Sequence, residues 1–79
     1  MDVRVLLFAS YADALGADSV VISTDGPVRA EDVVRMVQAK ISAPVPPRPM
    51  VAVNSVYASP DQEIRAGDEV AIIPPVAGG

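Results

Sequence analysis

Two strand-like apolar runs, one amphipathic helix of about three turns, and three further strand-like runs follow one another along 79 residues. That order predicts an α+β fold, the β-grasp or ubiquitin-like arrangement: a mixed sheet of about five strands, one main helix and a short helical turn. Order alone is shared by other α+β folds. Three observations carry the prediction. The strand-like runs alternate with period two, the main helix has apolar positions at helical spacing, and turn residues separate the runs.

Val3-Arg4-Val5-Leu6-Leu7-Phe8-Ala9 is rich in β-formers and reads as the first strand. A short helical turn follows over Ser10–Leu15, with Gly16 placed to end it as a left-handed cap. Ser19–Ser23 is the second strand, and Thr24-Asp25-Gly26-Pro27 a turn. The main helix spans about Arg29 to Ile41, where Ala30, Val33, Val34, Val37 and Ile41 fall on one face. Glu31 and Asp32 in its first turn and Lys40 in its last complement the helix dipole. Its N-terminus lacks a good capping residue, because neither Val28 nor Arg29 offers a short side-chain acceptor.

Ala43–Pro49 is dense in proline, which excludes helix and central strand. It reads as a stiff crossover loop in preference to a recognition peptide for a proline-binding domain. Met50–Val53 is the third strand, Asn54-Ser55 a turn and Val56–Ala58 a short fourth strand. A loop containing Ser59-Pro60-Asp61-Gln62 follows, and Gly67-Asp68 turns the chain into the last strand, Glu69–Ile73. Residues 1–73 form one domain and 74–79 an extended tail, without internal repeats.

Composition narrows the function. A chain this short buries only about 60% of its unfolded surface, and with three aromatic residues its core is expected to be Val, Ile, Leu and Ala. There is no cysteine to form a disulfide, attack a substrate or hold a metal, and no histidine to act as base or ligand. A net charge of −4 with scattered Lys and Arg argues against nucleic acid. With neither a signal peptide nor an apolar run of membrane-spanning length, the expectation is a soluble cytoplasmic protein.

Strand parity defines a candidate surface. Arg4, Leu6 and Phe8 share one face of the first strand, and Glu69, Ala71 and Ile73 one face of the last. The charged residue in each marks the side away from the helix. Phe8 and Ile73 are therefore expected on the open face near the root of the tail, with Tyr57 joining them. An apolar cluster on the open side of a one-helix sheet points to a protein partner.

The tail, Pro74-Pro75-Val76-Ala77-Gly78-Gly79, carries the chemistry by elimination. Asp61/Glu63 and Asp68/Glu69 read as solvated turn residues, Ser55 and Ser59 have no base beside them, and isolated glycines make no phosphate loop. What remains is the α-carboxylate of Gly79. Two glycines without β-carbons let such a tail enter a narrow channel, and the two prolines hold its root extended. A carboxylate must be activated before it reacts, most simply as an acyl-adenylate made with ATP. A sulfur donor could then displace AMP and leave a thiocarboxylate.

These residues resemble those of the small subunit of molybdopterin synthase, the MoaD-like sulfur carriers of the MoaD/ThiS family, nearly end to end. Val3–Ala9 with Leu15-Gly16 is similar to the family's opening strand and helical turn, and Ala52-Val53-Asn54 to its central hairpin. The most specific match is Gly67–Gly79, with Pro-Pro-Val-x-Gly-Gly at its end. The resemblance implies a Gly79 thiocarboxylate made by an ATP-dependent adenylating enzyme. It also implies insertion of the tail into a large synthase subunit that carries the catalytic side chains. There sulfur passes to cyclic pyranopterin monophosphate, in a heterotetramer with two small subunits at opposite ends of a large-subunit dimer. No cofactor is implied on this chain itself.

The family's apolar contact surface falls on Phe8, Tyr57 and Ile73, and its tail contacts on Pro74, Pro75, Val76 and Ala77 ahead of Gly78 and Gly79. Where many members have an Arg-Glu pair after the first strand, this chain has Ala12-Asp13 and so lacks that arginine. A thiamine-type sulfur carrier and a ubiquitin-like modifier of lysines share the fold and the Gly-Gly end. A plain interaction module would make no use of that end.

Overall fold

In the computed structural model, which describes residues 1–75, five strands form one mixed sheet and a single long helix lies across one face. In chain order these strands are β1 (Asp2–Leu7), β2 (Ser19–Ser23), β4 (Met50–Val53), β5 (Val56–Ala58) and β7 (Glu69–Ile73). Two short strands, β3 (Val28–Arg29) and β6 (Glu63–Ile64), pair separately. The helices are α1 (Ala9–Leu15) and α2 (Ala30–Gln38). The sheet runs β2-β1-β7-β4-β5, with β1 and β7 parallel at its centre and the other neighbours antiparallel.

The parallel centre is where the alternation is strictest. Val5 sits beside Val70 and Leu7 beside Ile72, and all four are buried under α2. Ala30, Val33, Val34 and Val37 of α2 meet them, so the helical and strand periodicities close one core. Burying each such aliphatic side chain is worth roughly 1.5–3 kcal/mol, which is what holds so small a sheet together. Val51 and Val53 add the far strand, and Ile64 of β6 seals the edge.

The expected boundaries shift at three places. β1 stops at Leu7 rather than Ala9. Phe8 is the extended residue before α1, and Ala9 opens the helix at φ 50°. Gly16 ends α1 in the left-handed conformation at φ 76°, its N–H bonded to Ala12 O at 2.8 Å. α2 is shorter than Arg29–Ile41: Arg29 belongs to β3, and the helix stops at Gln38, so Lys40 lies beyond its last turn.

The third difference explains the missing cap. Arg29 N–H donates to the Asp32 carboxylate at 2.9 Å. The next two helix N–H groups donate to main-chain carbonyls from a distant loop, Ala30 to Gln62 O and Glu31 to Pro60 O, each at 2.9 Å. The β3–β6 ladder, Val28 with Ile64 and Arg29 with Glu63, brings that loop into place. A short side chain is unnecessary because another part of the backbone satisfies the orphan donors. Among the described residues no helix is long and apolar enough to cross a membrane.

Candidate functional site

The open face of the sheet is built row by row from register. Leu6 lies beside Ala71, Ala71 beside Ala52, and Ala52 beside Tyr57, one continuous row across four strands. Two alanines in the middle give the row a low floor between taller ends. The result is a shallow depression of about 320 Å³ that Phe8 and Ile73 also line. One row nearer the tail, Ile73 is paired with Met50. One row away from it, Arg4 is paired with Glu69 and supplies the charged border.

Phe8, Tyr57 and Ile73, singled out from parity, thus come together around one depression. Tyr57 is 64% and Phe8 46% exposed, while Ile73 is half-buried. Met50, 53% exposed, extends the apolar surface beside Ile73. Large side chains left in water on a face that already has a firm floor are what a protein partner covers. Leu6 and Ala71, which share parity with Phe8 and Ile73, also line the depression. Ala52 and Met50 emerge only once β4 is set beside β7, although their parity in Met50–Val53 carried the signal.

β7 ends beside this face, at Ile73. After Ile73, Pro74 is buried against the domain and Pro75 is exposed, so the lead-in is anchored one residue further than the strand itself. Val76, Ala77, Gly78 and Gly79 lie outside the described residues. Four residues past Pro75 span at most roughly 13 Å at about 3.3 Å each.

Inside the domain the acidic groups serve turns. Ser59 Oγ donates to Asp61 Oδ1 at 2.7 Å, and this bond holds the Asp61 carboxyl below its ordinary value. Asp68 is also held low, first by the Arg65 N–H at 2.8 Å and then by the Asn54 amide at 3.0 Å. Both are fixed as carboxylates, the opposite of what a general acid near neutral pH requires. Among the described residues no cluster of His, Cys, Asp or Glu has the arrangement of a metal site. The geometry offers an exposed apolar face around a shallow depression and, at Pro74, the root of a tail.

Comparison with known proteins is consistent from end to end. The sequence profile of the ThiS family matches residues 5–79. The chain is 36% identical to the molybdopterin synthase sulfur carrier subunit of Dictyostelium discoideum, covering 96% of this chain and 94% of that one. Among solved structures, SAMP1 of Haloferax volcanii, a small archaeal modifier protein, superposes with a TM-score of 0.81 at 25% identity over 100% of both chains. A putative molybdopterin converting factor subunit 1 from Pyrococcus furiosus gives a TM-score of 0.77 at 26% identity, covering 96% of this chain and 99% of that one.

Proposed function

This chain belongs to the ThiS family, and on that premise we propose that it is a sulfur carrier and the small subunit of a molybdopterin synthase. The observation that carries this reading is the likeness to a sulfur carrier subunit over nearly the whole of both chains.

The reactive group is the carboxylate of Gly79. An ATP-dependent enzyme joins it to AMP, with pyrophosphate leaving. A sulfur donor then attacks the acyl carbon and AMP departs, leaving a thiocarboxylate. In the large synthase subunit that sulfur bonds to cyclic pyranopterin monophosphate. Water then cleaves the acyl–sulfur bond, leaving the sulfur on the pterin and supplying the oxygen that restores the Gly79 carboxylate. The thiocarboxylate is anionic and soft, so it attacks without a general base from this chain. Each partner grips the open face around Phe8, Tyr57 and Ile73, and threads Val76–Gly79 inward. Gly78 and Gly79 are required twice, because both enzymes must admit the last residues into a confined site. The assembled synthase is a heterotetramer with a large-subunit dimer at its centre.

Mass spectrometry of the chain made together with its activating enzyme tests the reading. The expected product has one oxygen replaced by sulfur at Gly79. Intact carboxylate alone, with active enzyme and donor present, refutes it. A second reading, a ubiquitin-like modifier, is favoured by the likeness to SAMP1. It predicts isopeptide-linked products that vanish when Gly79 is deleted. A thiamine-type carrier is separated by reconstituting each pathway's acceptor with the same thiolated chain.

A further inference from the structure

On the opposite side of the Met50–Ile73 pair lies a second and larger groove, about 500 Å³, between α2, the proline-rich segment and the end of the sheet. Val34 and Val51 supply apolar lining and are nearly buried, Met50 stands at the rim, and Ala58 of β5 closes one side. We propose that this groove binds an extended peptide segment of a protein partner, apolar along its length and carrying an acidic side chain. The inference is independent of the sulfur-carrier reading.

Two features specify that occupant. The first is the strand order, which ends at β5 and, among the described residues, leaves its outer edge without a neighbouring strand. Unpaired backbone groups at a sheet edge are satisfied by an added strand, whose alternate side chains enter the adjoining groove. The polarizable, unbranched side chain of Met50 suits a surface that must fit varied apolar residues.

The second feature is charge. Two of the chain's six cationic residues, Arg35 and Arg48, line this groove, against Glu31 alone of its ten acidic ones, although the chain as a whole carries −4. Arg35 makes only exposed pairs with Glu31 and Asp32, at 3.9 and 3.6 Å, of a kind that contributes little and exchanges readily. Arg48 has no carboxylate within ion-pair distance among the described residues. A guanidinium presented beside an apolar channel recognises a carboxylate by two parallel hydrogen bonds.

A display library of randomised nonapeptides, selected against the whole chain, supplies the probe. Enriched peptides are expected to alternate apolar residues and to carry Asp or Glu near one end. Their amide shift changes should centre on Arg48, Met50 and Ala58, with new exchange protection along β5. Arg48→Glu is expected to weaken the best peptide about tenfold, and replacing the peptide's acid by lysine should restore binding to that variant. Arg65→Glu, an equal change of charge elsewhere on the surface, should leave affinity unchanged. No enrichment, peptides that map onto the Phe8–Ile73 face, or equal weakening by both arginine variants overturns the proposal.

Discussion

The Tyr11 hydroxyl donates to the main-chain carbonyl of Pro46, 35 residues further along, at 2.5 Å, and accepts from Gln38 Nε2 at 2.9 Å. Gln38 Nε2 also donates to Pro47 O at 3.1 Å. Three parts of the chain, α1, the end of α2 and the proline-rich segment, are tied at one wholly buried ring. The core expected to be Val, Ile, Leu and Ala thus also holds a tyrosine whose hydroxyl finds partners. Tyr11→Phe keeps the ring and removes the hydroxyl, so it should cost about 1–2 kcal/mol. Urea unfolding measures the loss, and an unchanged midpoint would mean that the proline-rich segment is held by other contacts.

Ile73 separates docking from folding. It is half-buried on the open face, beside Met50 and away from α2. Ile73→Glu should weaken assembly with the large synthase subunit by about 2 kcal/mol, yet lower the stability of the isolated domain by no more than about 1 kcal/mol. Titration calorimetry and thermal unfolding of the same variant read the two effects. Collapse of the fold would show that Ile73 belongs to the core.

Gly78→Val and Gly79→Val should each abolish sulfur incorporation while leaving thermal unfolding within about 0.5 kcal/mol of the parent, since both follow the last strand, which ends at Ile73, in sequence. Thiocarboxylate detected by mass spectrometry in either variant would contradict the channel argument.

The β4–β5 turn contains two non-glycine residues in the left-handed region, Asn54 at φ 51° and Ser55 at φ 70°. Such a pair makes the mirror-image turn that matches hairpin twist, where Asn-Gly is preferred. Asn54 is held: its side-chain oxygen accepts Glu69 N–H at 3.0 Å and its amide donates to Asp68. Ser55 forms no such bond among those described, so Ser55→Gly should stabilise the domain by about 0.5–1 kcal/mol. A lower unfolding midpoint would contradict the turn assignment.

Asp68 should contribute to acid sensitivity. The Arg65 N–H and the Asn54 amide hold its carboxyl below the unfolded value of about 3.9. A carboxyl lowered on folding adds stability that is fully present above its unfolded pKa. That stability disappears as pH falls through the folded pKa. Asp68→Asn should therefore flatten part of the stability loss below about pH 4 and lower stability at neutral pH. Unfolding midpoints measured across that range, in both proteins, check the sign.

Much of this was readable in the chain because local rules are strong where the pattern is regular. Ser19–Ser23, Met50–Val53, Val56–Ala58 and Glu69–Ile73 have the boundaries expected from alternation and turn residues. Parity also grouped Phe8, Tyr57 and Ile73 correctly around one depression. The β3–β6 ladder was not legible, since two residues are too few to show a period. The capping of α2 was equally hidden, because its acceptors come from Pro60 and Gln62, about thirty positions away.

Side-chain alternation and helical spacing, which act between near neighbours, determined the β-grasp elements, the apolar face and the glycine-ended tail from sequence alone. Only the assembled fold decided that Met50 stands beside Ile73, that Pro74 is buried and that Arg48 overlooks a second groove. Those relationships depend on which distant strands share a sheet edge. Strand order is set by the summed burial of the whole core, and no local run of residues encodes it.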